Sequence, residues 1–241
     1  MKFSVIILIC DRFNFIEEAI SSVLNQSLKP NEILIINNGF NKFSRNKFKN
    51  NKLIKVINAV PYIGIANALN IGVSISRYEY LAFLEDDDLW KDTYLENLKK
   101  KFEQGYECCV SPIMKLENGK ISLYKTLPKN FNYKEFIFRN PGLNISNFSI
   151  KKSVLYELRG FDNKHVISVD KDIGIKIYEN KKNIVILDDP LTISRFHDIK
   201  RLSKNKNSFF KKIVFFLDYS RLFSPVLLLK EIKRRLYRLM I

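Results

Sequence analysis

Four acidic residues in succession, Glu85-Asp86-Asp87-Asp88, follow directly on the apolar run Tyr80-Leu81-Ala82-Phe83-Leu84. Carboxylates crowded at a strand end repel one another, so a fold that keeps them holds a counter-charge there. Their oxygens are hard ligands, suited to Mg²⁺ or Mn²⁺. A hard divalent ion at the carboxyl end of a strand commonly holds phosphates. The competing reading of the run alone is a solvated acidic turn, and its surroundings decide between the two.

Those surroundings are alternating strands and helices. Val5-Ile6-Ile7-Leu8-Ile9 is a continuous β-branched and apolar run, the signature of a strand buried on both faces. An amphipathic segment follows, with Phe15, Ile16, Ala19, Ile20, Val23 and Leu24 at helical spacing until Pro30 stops it. Ile33–Ile36 and Leu53–Ile57 read as further strands, Ile65–Ser76 as a helix, Tyr78–Leu84 as the fourth strand and Asp92–Phe102 as a helix. This alternation predicts a parallel, Rossmann-like sheet with helices on both faces. In such sheets ligands bind beyond the carboxyl ends of the strands. Three polar exits converge there: Ile9-Cys10-Asp11-Arg12, Asn37-Asn38-Gly39 and the acidic run. Convergence favours the site over the solvated turn. After residue 105 the pattern turns mixed. Strands are expected over Glu107–Pro112 and Asn183–Leu187, a hairpin around Asn118-Gly119, and helices over Lys151–Leu158 and Asp170–Glu179.

Several of these segments resemble family 2 glycosyltransferases. They are Val5-Ile6-Ile7-Leu8, Gln26-Ser27-Leu28-Lys29-Pro30-Asn31-Glu32-Ile33, Gly64-Ile65-Ala66-Asn67-Ala68-Leu69-Asn70-Ile71-Gly72, and Tyr80 through Trp90. The resemblance covers roughly residues 3 to 203. It implies a GT-A fold, a Rossmann-like α/β architecture with a central mostly parallel sheet flanked by helices. It also implies transfer of a sugar from a nucleotide-sugar with inversion, aided by Mn²⁺ or Mg²⁺ as a Lewis acid on the departing diphosphate.

Roles follow from the resemblance position by position. Cys10, Asp11 and Arg12 match the first-strand exit that touches base and ribose. Asn37 and Asn38 match an acidic pair that binds the base, and Asn70 and Gly72 match the helix beside the donor pocket. Glu85 and Asp87 match the two acids of an Asp-x-Asp motif, with Asp86 between them; Asp87 and Asp88 are the metal candidates. His197, in Ser194-Arg195-Phe196-His197, matches a histidine near metal and diphosphate, and Arg195 beside it could meet phosphate. Asp170, after Gly160-Phe161-Asp162, matches the catalytic base; its bland alternative is a helix N-cap, and Asp172 is the understudy. His165 reads as a loop residue. Trp90 beside the acids either stacks on a sugar or packs against the helix behind. Asn140–Asn147 falls where relatives build acceptor-side walls. The chain also departs from the family at Leu8, Asn37-Asn38, Phe40, Leu69 and Val169. Replacing the acidic pair by amides keeps donors and acceptors but removes charge. The departures motivate one alternative, a non-catalytic relative that binds glycan or scaffolds an assembly.

Composition narrows the partners. The 241 residues, 46% hydrophobic and 13% aromatic, suit a folded globule. Three cysteines, Cys10, Cys108 and Cys109, make no disulfide framework or metal spacing, which fits a reducing compartment. The apolar stretch near the start is too short for a signal peptide, and no run approaches a membrane span, so a cytoplasmic location is expected. The net charge is +16, and from Asp198 to Ile241 twelve basic residues face three acidic ones. Acids at the predicted ligand edge argue against nucleic acid as the partner. Residues 1–203 are expected to form the transferase domain and 204–241 a basic amphipathic helical tail. Such a tail suits peripheral contact with an anionic membrane, where each basic residue adds about 1 kcal/mol. Packing on its own domain is the other use for it. The expected partners are a nucleotide-sugar donor and a glycan or lipid-linked glycan acceptor.

Overall fold

A computed structural model of the chain describes residues 1–44, 48–128, 134–165, 168–197 and 214–222. The first half is built as its apolar periodicity dictates. Strand β1 (Phe3–Ile9) is buried at every position, as is β2 (Glu32–Asn37), because helices cover both faces. Helix α1 (Ile16–Leu24) buries Ile16, Ala19, Ile20 and Val23 and exposes its acidic positions. Strand β3 (Ile54–Asn58), helix α2 (Ile65–Ile75) and strand β4 (Tyr80–Glu85) complete the alternating unit. Gly72 on α2 lets that helix lie close on the sheet: a Cβ there would meet Ile6 Cγ2 at 2.7 Å.

The remaining elements are β5 (Leu89–Trp90), α3 (Tyr94–Glu103), β6 (Cys108–Val110), β7 (Ile113–Glu117), β8 (Lys120–Lys125), α4 (Glu135–Phe138), β9 (Phe148–Lys151), α5 (Lys152–Glu157), α6 (Val169–Glu179), β10 (Ile184–Ile186) and β11 (Thr192–Arg195). The main sheet has seven strands in the order β10-β6-β9-β4-β1-β2-β3. The order reverses around β1: β1 pairs in parallel with both β2 and β4, so their carboxyl ends open on one edge. Strand β9 alone runs against its neighbours β4 and β6. The mixed α/β, mostly parallel architecture agrees with the sequence expectation.

One feature was not expected. A second sheet of four strands, β5-β11-β7-β8, stands beyond the acidic run. Its β5 begins one residue after Asp88 and pairs antiparallel with β11, Thr192 opposite Trp90. That pairing carries the chain after β11, and with it His197, back over the carboxylates.

Of the expected tail, only 214–222 falls among the described residues; 204–213 and 223–241 lie outside them. Over the described part, Phe215, Phe216 and Tyr219 are buried in the core cluster that includes Ile173 and Ile177 of α6. Among the described residues no helix is long and apolar enough to cross a membrane.

Candidate functional site

The acidic run leaves β4 at the sheet's carboxyl edge, and a short turn beneath it holds its backbone. Residues Ile145–Asn147 form one turn of 3₁₀ helix, fixed by a reciprocal box in which Asn144 and Asn147 each accept from the other's backbone. Ser146 in that turn accepts from Glu85 N at 3.1 Å, and its carbonyl accepts from Trp90 Nε1 at 2.7 Å. Trp90 also stacks on Tyr94 with ring centroids 4.3 Å apart. The tryptophan therefore packs against the helix behind the run.

Asp86, Asp87 and Asp88 are all buried. Arg12, from the β1 exit, ion-pairs with Asp86 and reaches Asp87 Oδ2 at 3.1 Å. His197 Nε2 lies 2.8 Å from Asp87 Oδ2. Arg195 N donates to Asp88 Oδ1 at 3.0 Å, and Arg195 Nε donates to the Asp87 carbonyl at 3.3 Å. The Arg195 guanidinium sits over the Phe15 ring at 4.5 Å and pairs with Glu18 at 2.6 Å, and the Phe15 ring also meets the His197 ring at 5.1 Å. Three separated pieces of sequence thus meet at the run.

These counter-charges do not balance the carboxylates. Burial, with repulsion from Asp87, Asp88 and Asp86, pushes Glu85 well above the usual carboxylate range. Burial raises Asp86 to about 6 even against Arg12. Burial, then Asp87, raises Asp88 to about 7, although Ser146, Arg195 N and Ser194 hydrogen-bond to it. The His197 Nδ1 atom is buried with no hydrogen-bond partner. Crowded oxygens short of positive charge, next to an under-used imidazole, are a donor set that fits a hard or borderline divalent cation.

Asp11 lies at the same edge with a different environment. Its backbone is left-handed (φ 52°), and its carboxylate accepts from Phe40 N at 3.1 Å, Asn41 N at 2.8 Å, Asn41 Nδ2 at 3.1 Å and the Tyr62 hydroxyl at 2.5 Å. The Tyr62 hydrogen bond, then that from Asn41 N, holds it below the usual range. Gly39 is required for this closure, since a Cβ there would lie 2.5 Å from Asp11 N. Cys10 Sγ points at the Asn38 carbonyl, 3.8 Å away. Asn37 spends its amide inside the protein, donating to the Asn41 carbonyl and Asn58 Oδ1 and accepting from Gly39 N. Asn38 Oδ1 is buried without a partner.

Two expected residues stand apart. Asn70 clasps the backbone of Phe161, donating to its carbonyl at 2.9 Å and accepting from its N–H at 3.0 Å. Its amide joins α2 to the turn after α5. Asp170 lies in the first turn of α6, but the N-cap is Ser168. The Asp170 carboxylate accepts from Asn140 Nδ2 and from Lys171 N. Burial raises its pKa, opposed by Lys171 and Asn140. Sequence reasoning missed Tyr62, Phe15 and Ser146, and the contact of Asn140 with the candidate base. Asn140 and Ser146 carried a signal, the Gly/Pro-marked segment that holds both.

A doubly wound sheet with buried carboxylates and an arginine at its carboxyl edge defines the class of α/β proteins that bind ligands at that edge. Comparison with known proteins makes it specific. The sequence pattern of glycosyl transferase family 2 matches residues 4–159, and the chain belongs to that family. An uncharacterised glycosyltransferase of Haemophilus influenzae is 31% identical over 106 residues, 42% of this chain and 33% of that protein. One from Methanocaldococcus jannaschii is 26% identical over 207 residues, 80% of this chain and 71% of the relative. The structure of S. aureus TarS 1-349 in complex with UDP-GlcNAc superposes with a TM-score of 0.71 at 16% identity, covering 88% of this chain and 64% of that one. The fold is therefore GT-A. This chain spans about a third of the H. influenzae relative and under two thirds of the TarS chain.

Proposed function

We propose that this chain is an inverting, metal-dependent glycosyltransferase, moving a sugar from a nucleotide-sugar to a hydroxyl of a cell-surface or lipid-linked glycan. The observation that carries the reading is the buried, under-compensated carboxylate set at the β4 exit, gripped by Arg12 and contacted by His197. Its place at the carboxyl edge, where the strand order reverses around β1, is where a nucleotide binds in such sheets. The TarS complex with UDP-GlcNAc supports a nucleotide-sugar donor by shared fold.

Asp87, Asp88 and His197 would hold Mn²⁺ or Mg²⁺, which when bound supplies Lewis-acid stabilisation of charge on the leaving diphosphate. Arg12 and Arg195 add positive charge at the same edge. Glu85 and Asp86 face the donor, with Cys10, Asp11, Arg12, Asn38 and the Asn37-ordered loop at the nucleoside end. Asp170 is the base: it takes the proton of the acceptor hydroxyl as that oxygen attacks the anomeric carbon and the nucleoside diphosphate departs from the opposite face. Its raised pKa keeps it basic enough to hold that proton, and Asn140 orients it.

The basic residues of 204–241 outside 214–222, which packs on α6, would suit peripheral contact with the cytosolic face of an anionic membrane, where lipid-linked acceptors lie. Co-sedimentation with anionic vesicles at low salt, reversed at high salt, is the expected behaviour. The transferase reading is tested with a panel of nucleotide-sugars plus Mn²⁺, following nucleoside diphosphate release and the anomeric configuration of the product. Turnover with inversion supports it. No turnover with any donor and no metal-dependent nucleotide binding would favour a non-catalytic relative.

A further inference from the structure

A second group of ligating side chains shares no residue with the acidic run. It forms where the turn after α5, helix α6 and the C-terminal segment 214–222 meet. Asp162, His165 and Asp172 offer ligand atoms that all lie within 4.8 Å of one another. His165 is 4% exposed and Asp172 1% exposed. His165 Nε2 is 3.5 Å from Asp172 Oδ1 and 3.6 Å from Asp218 Oδ2.

Those separations are too long for a charge-assisted N–H···O hydrogen bond, which closes to about 2.7–2.9 Å. They suit two ligands of one ion instead. Bonds of about 2.0–2.2 Å meeting at a tetrahedral angle place neighbouring ligand atoms roughly 3.4 Å apart. The charge agrees. Lys176 Nζ approaches Asp172 Oδ2 at 2.9 Å and offsets one of the three carboxylates. With a neutral imidazole, two negative charges remain, the complement of a divalent cation. The Lys176 approach is an ion pair without hydrogen-bond geometry, since Oδ2 is left with no hydrogen-bond partner, and buried His165 Nδ1 has none either. The Tyr219 hydroxyl donates to Asp172 Oδ1 at 2.5 Å, and the Phe215 ring meets the His165 ring edge-on at 5.0 Å. Outer groups of this kind fix the orientation of ligating side chains.

We infer that Asp162, His165 and Asp172 form a divalent-cation site of the nitrogen–oxygen type that zinc favours, with Asp218 beside His165 and Tyr219 on Asp172 as supporting groups, and that the ion thereby staples the C-terminal segment onto α6. Three ligands, two of them buried and held in place by Tyr219 and Phe215, give the ion a structural role apart from the acidic run. Because binding requires the folded arrangement of three separate chain segments, its free energy adds to folding stability.

The test uses the full chain and the metal alone, so it does not depend on any transferase activity. Protein stripped with chelator, reloaded with Zn²⁺ and desalted should retain one equivalent that is lost in His165→Gln and kept in Asp87→Asn. At a hundredfold excess of Zn²⁺ over its Kd, Tm of Asp87→Asn should rise by about 5–10 °C. Adding His165→Gln to Asp87→Asn should abolish the rise. Should His165→Gln fail to fold, Asp218→Asn serves, because that side chain is 43% exposed. It should weaken Zn²⁺ binding by roughly tenfold or more, the factor lost with a metal site's supporting groups. Co²⁺ at the site should give the intense visible bands of four-coordinate cobalt. Zn²⁺ content unchanged in His165→Gln and in Asp218→Asn, or no Tm response in Asp87→Asn, would overturn the inference and leave the cluster an ion pair between His165 and its acids.

Discussion

Two ends of one sheet treat buried carboxylates in opposite ways. At the amino end, Glu32 is fully buried at the start of β2. It accepts from Ser4 Oγ at 2.7 Å, Arg77 N at 2.6 Å and Arg77 Nε at 3.0 Å. Burial alone would raise its pKa, but these partners win and lower it. At the carboxyl end, burial raises Glu85, Asp86 and Asp88 and the partners lose. The lesson is one of satisfaction. One carboxylate with three well-placed donors is structure; four with too few donors leave negative charge uncompensated, which suits a cation. Unsatisfied buried charge is tolerated where function needs it.

The contrast breaks most visibly in turnover. Asp170→Asn should lower kcat by about 10²–10⁴-fold, the contribution of a positioned base. Donor affinity should hold, since Asp170 contacts Asn140 rather than the acidic run. Its raised pKa places the acid limb of kcat/KM above the ordinary aspartate value, with rate climbing as pH rises through it. Asp87→Asn should cost about 10²–10³-fold in kcat, the scale of losing one electrostatic contact to developing charge. Metal-dependent nucleotide binding, read by calorimetry, should fall with it. Glu32→Gln should leave both rates near wild type. A slow Glu32→Gln enzyme, or a fast Asp87→Asn one, would erase the distinction between the two ends.

Stability should divide the ends by sign. Asp86 and Asp88 have folded pKa values above their unfolded ones, so between about pH 4 and 7 the folded chain binds more protons. With chelator present, stability therefore falls as pH rises through that window. Asp88→Asn should flatten the slope by an amount on the order of 1–3 kcal/mol. Glu32 is depressed, so its contribution is present above its unfolded pKa and lost as pH falls through the folded one. Glu32→Gln should cost about 2 kcal/mol near neutrality, the worth of hydrogen bonds to a charged group, and remove that acid-side loss. Thermal melts from pH 3 to 8 on the three proteins measure both slopes.

Legibility in the sequence follows the range of the interactions. The buried strands announced themselves through local apolar runs, and the converging polar exits followed from strand order alone. The second sheet did not, because β11 pairs with a two-residue strand about a hundred positions earlier. Phe15 read as part of an apolar helical face, yet its ring serves Arg195 and His197. Asn37 and Asn70 show the converse. Their matched positions suggested ligand contacts, and their amides are taken up by the protein's own backbone and by Asn58. An amide's type says that it will hydrogen-bond; only tertiary placement says to what. His165 read as a loop residue for the same reason, since its neighbours Asp172 and Asp218 come from other elements.

The finest division between the two ends runs through Ser146. This buried hydroxyl accepts from Glu85 N and hydrogen-bonds to Asp88, so it is one of the few groups that lower the Asp88 pKa. Ser146→Ala would make the carboxyl end still less like the amino end. It should push Asp88 further above about 7 and leave the Glu85 N–H without its acceptor, at a cost of about 1 kcal/mol. Carbon-detected NMR titration of the Asp88 carboxyl reads the first effect and denaturant melts the second. An Asp88 that titrates lower in Ser146→Ala would mean that water satisfies the run better than the protein does. The raised pKa values would then reflect the protein's packing and not a site held open for a cation.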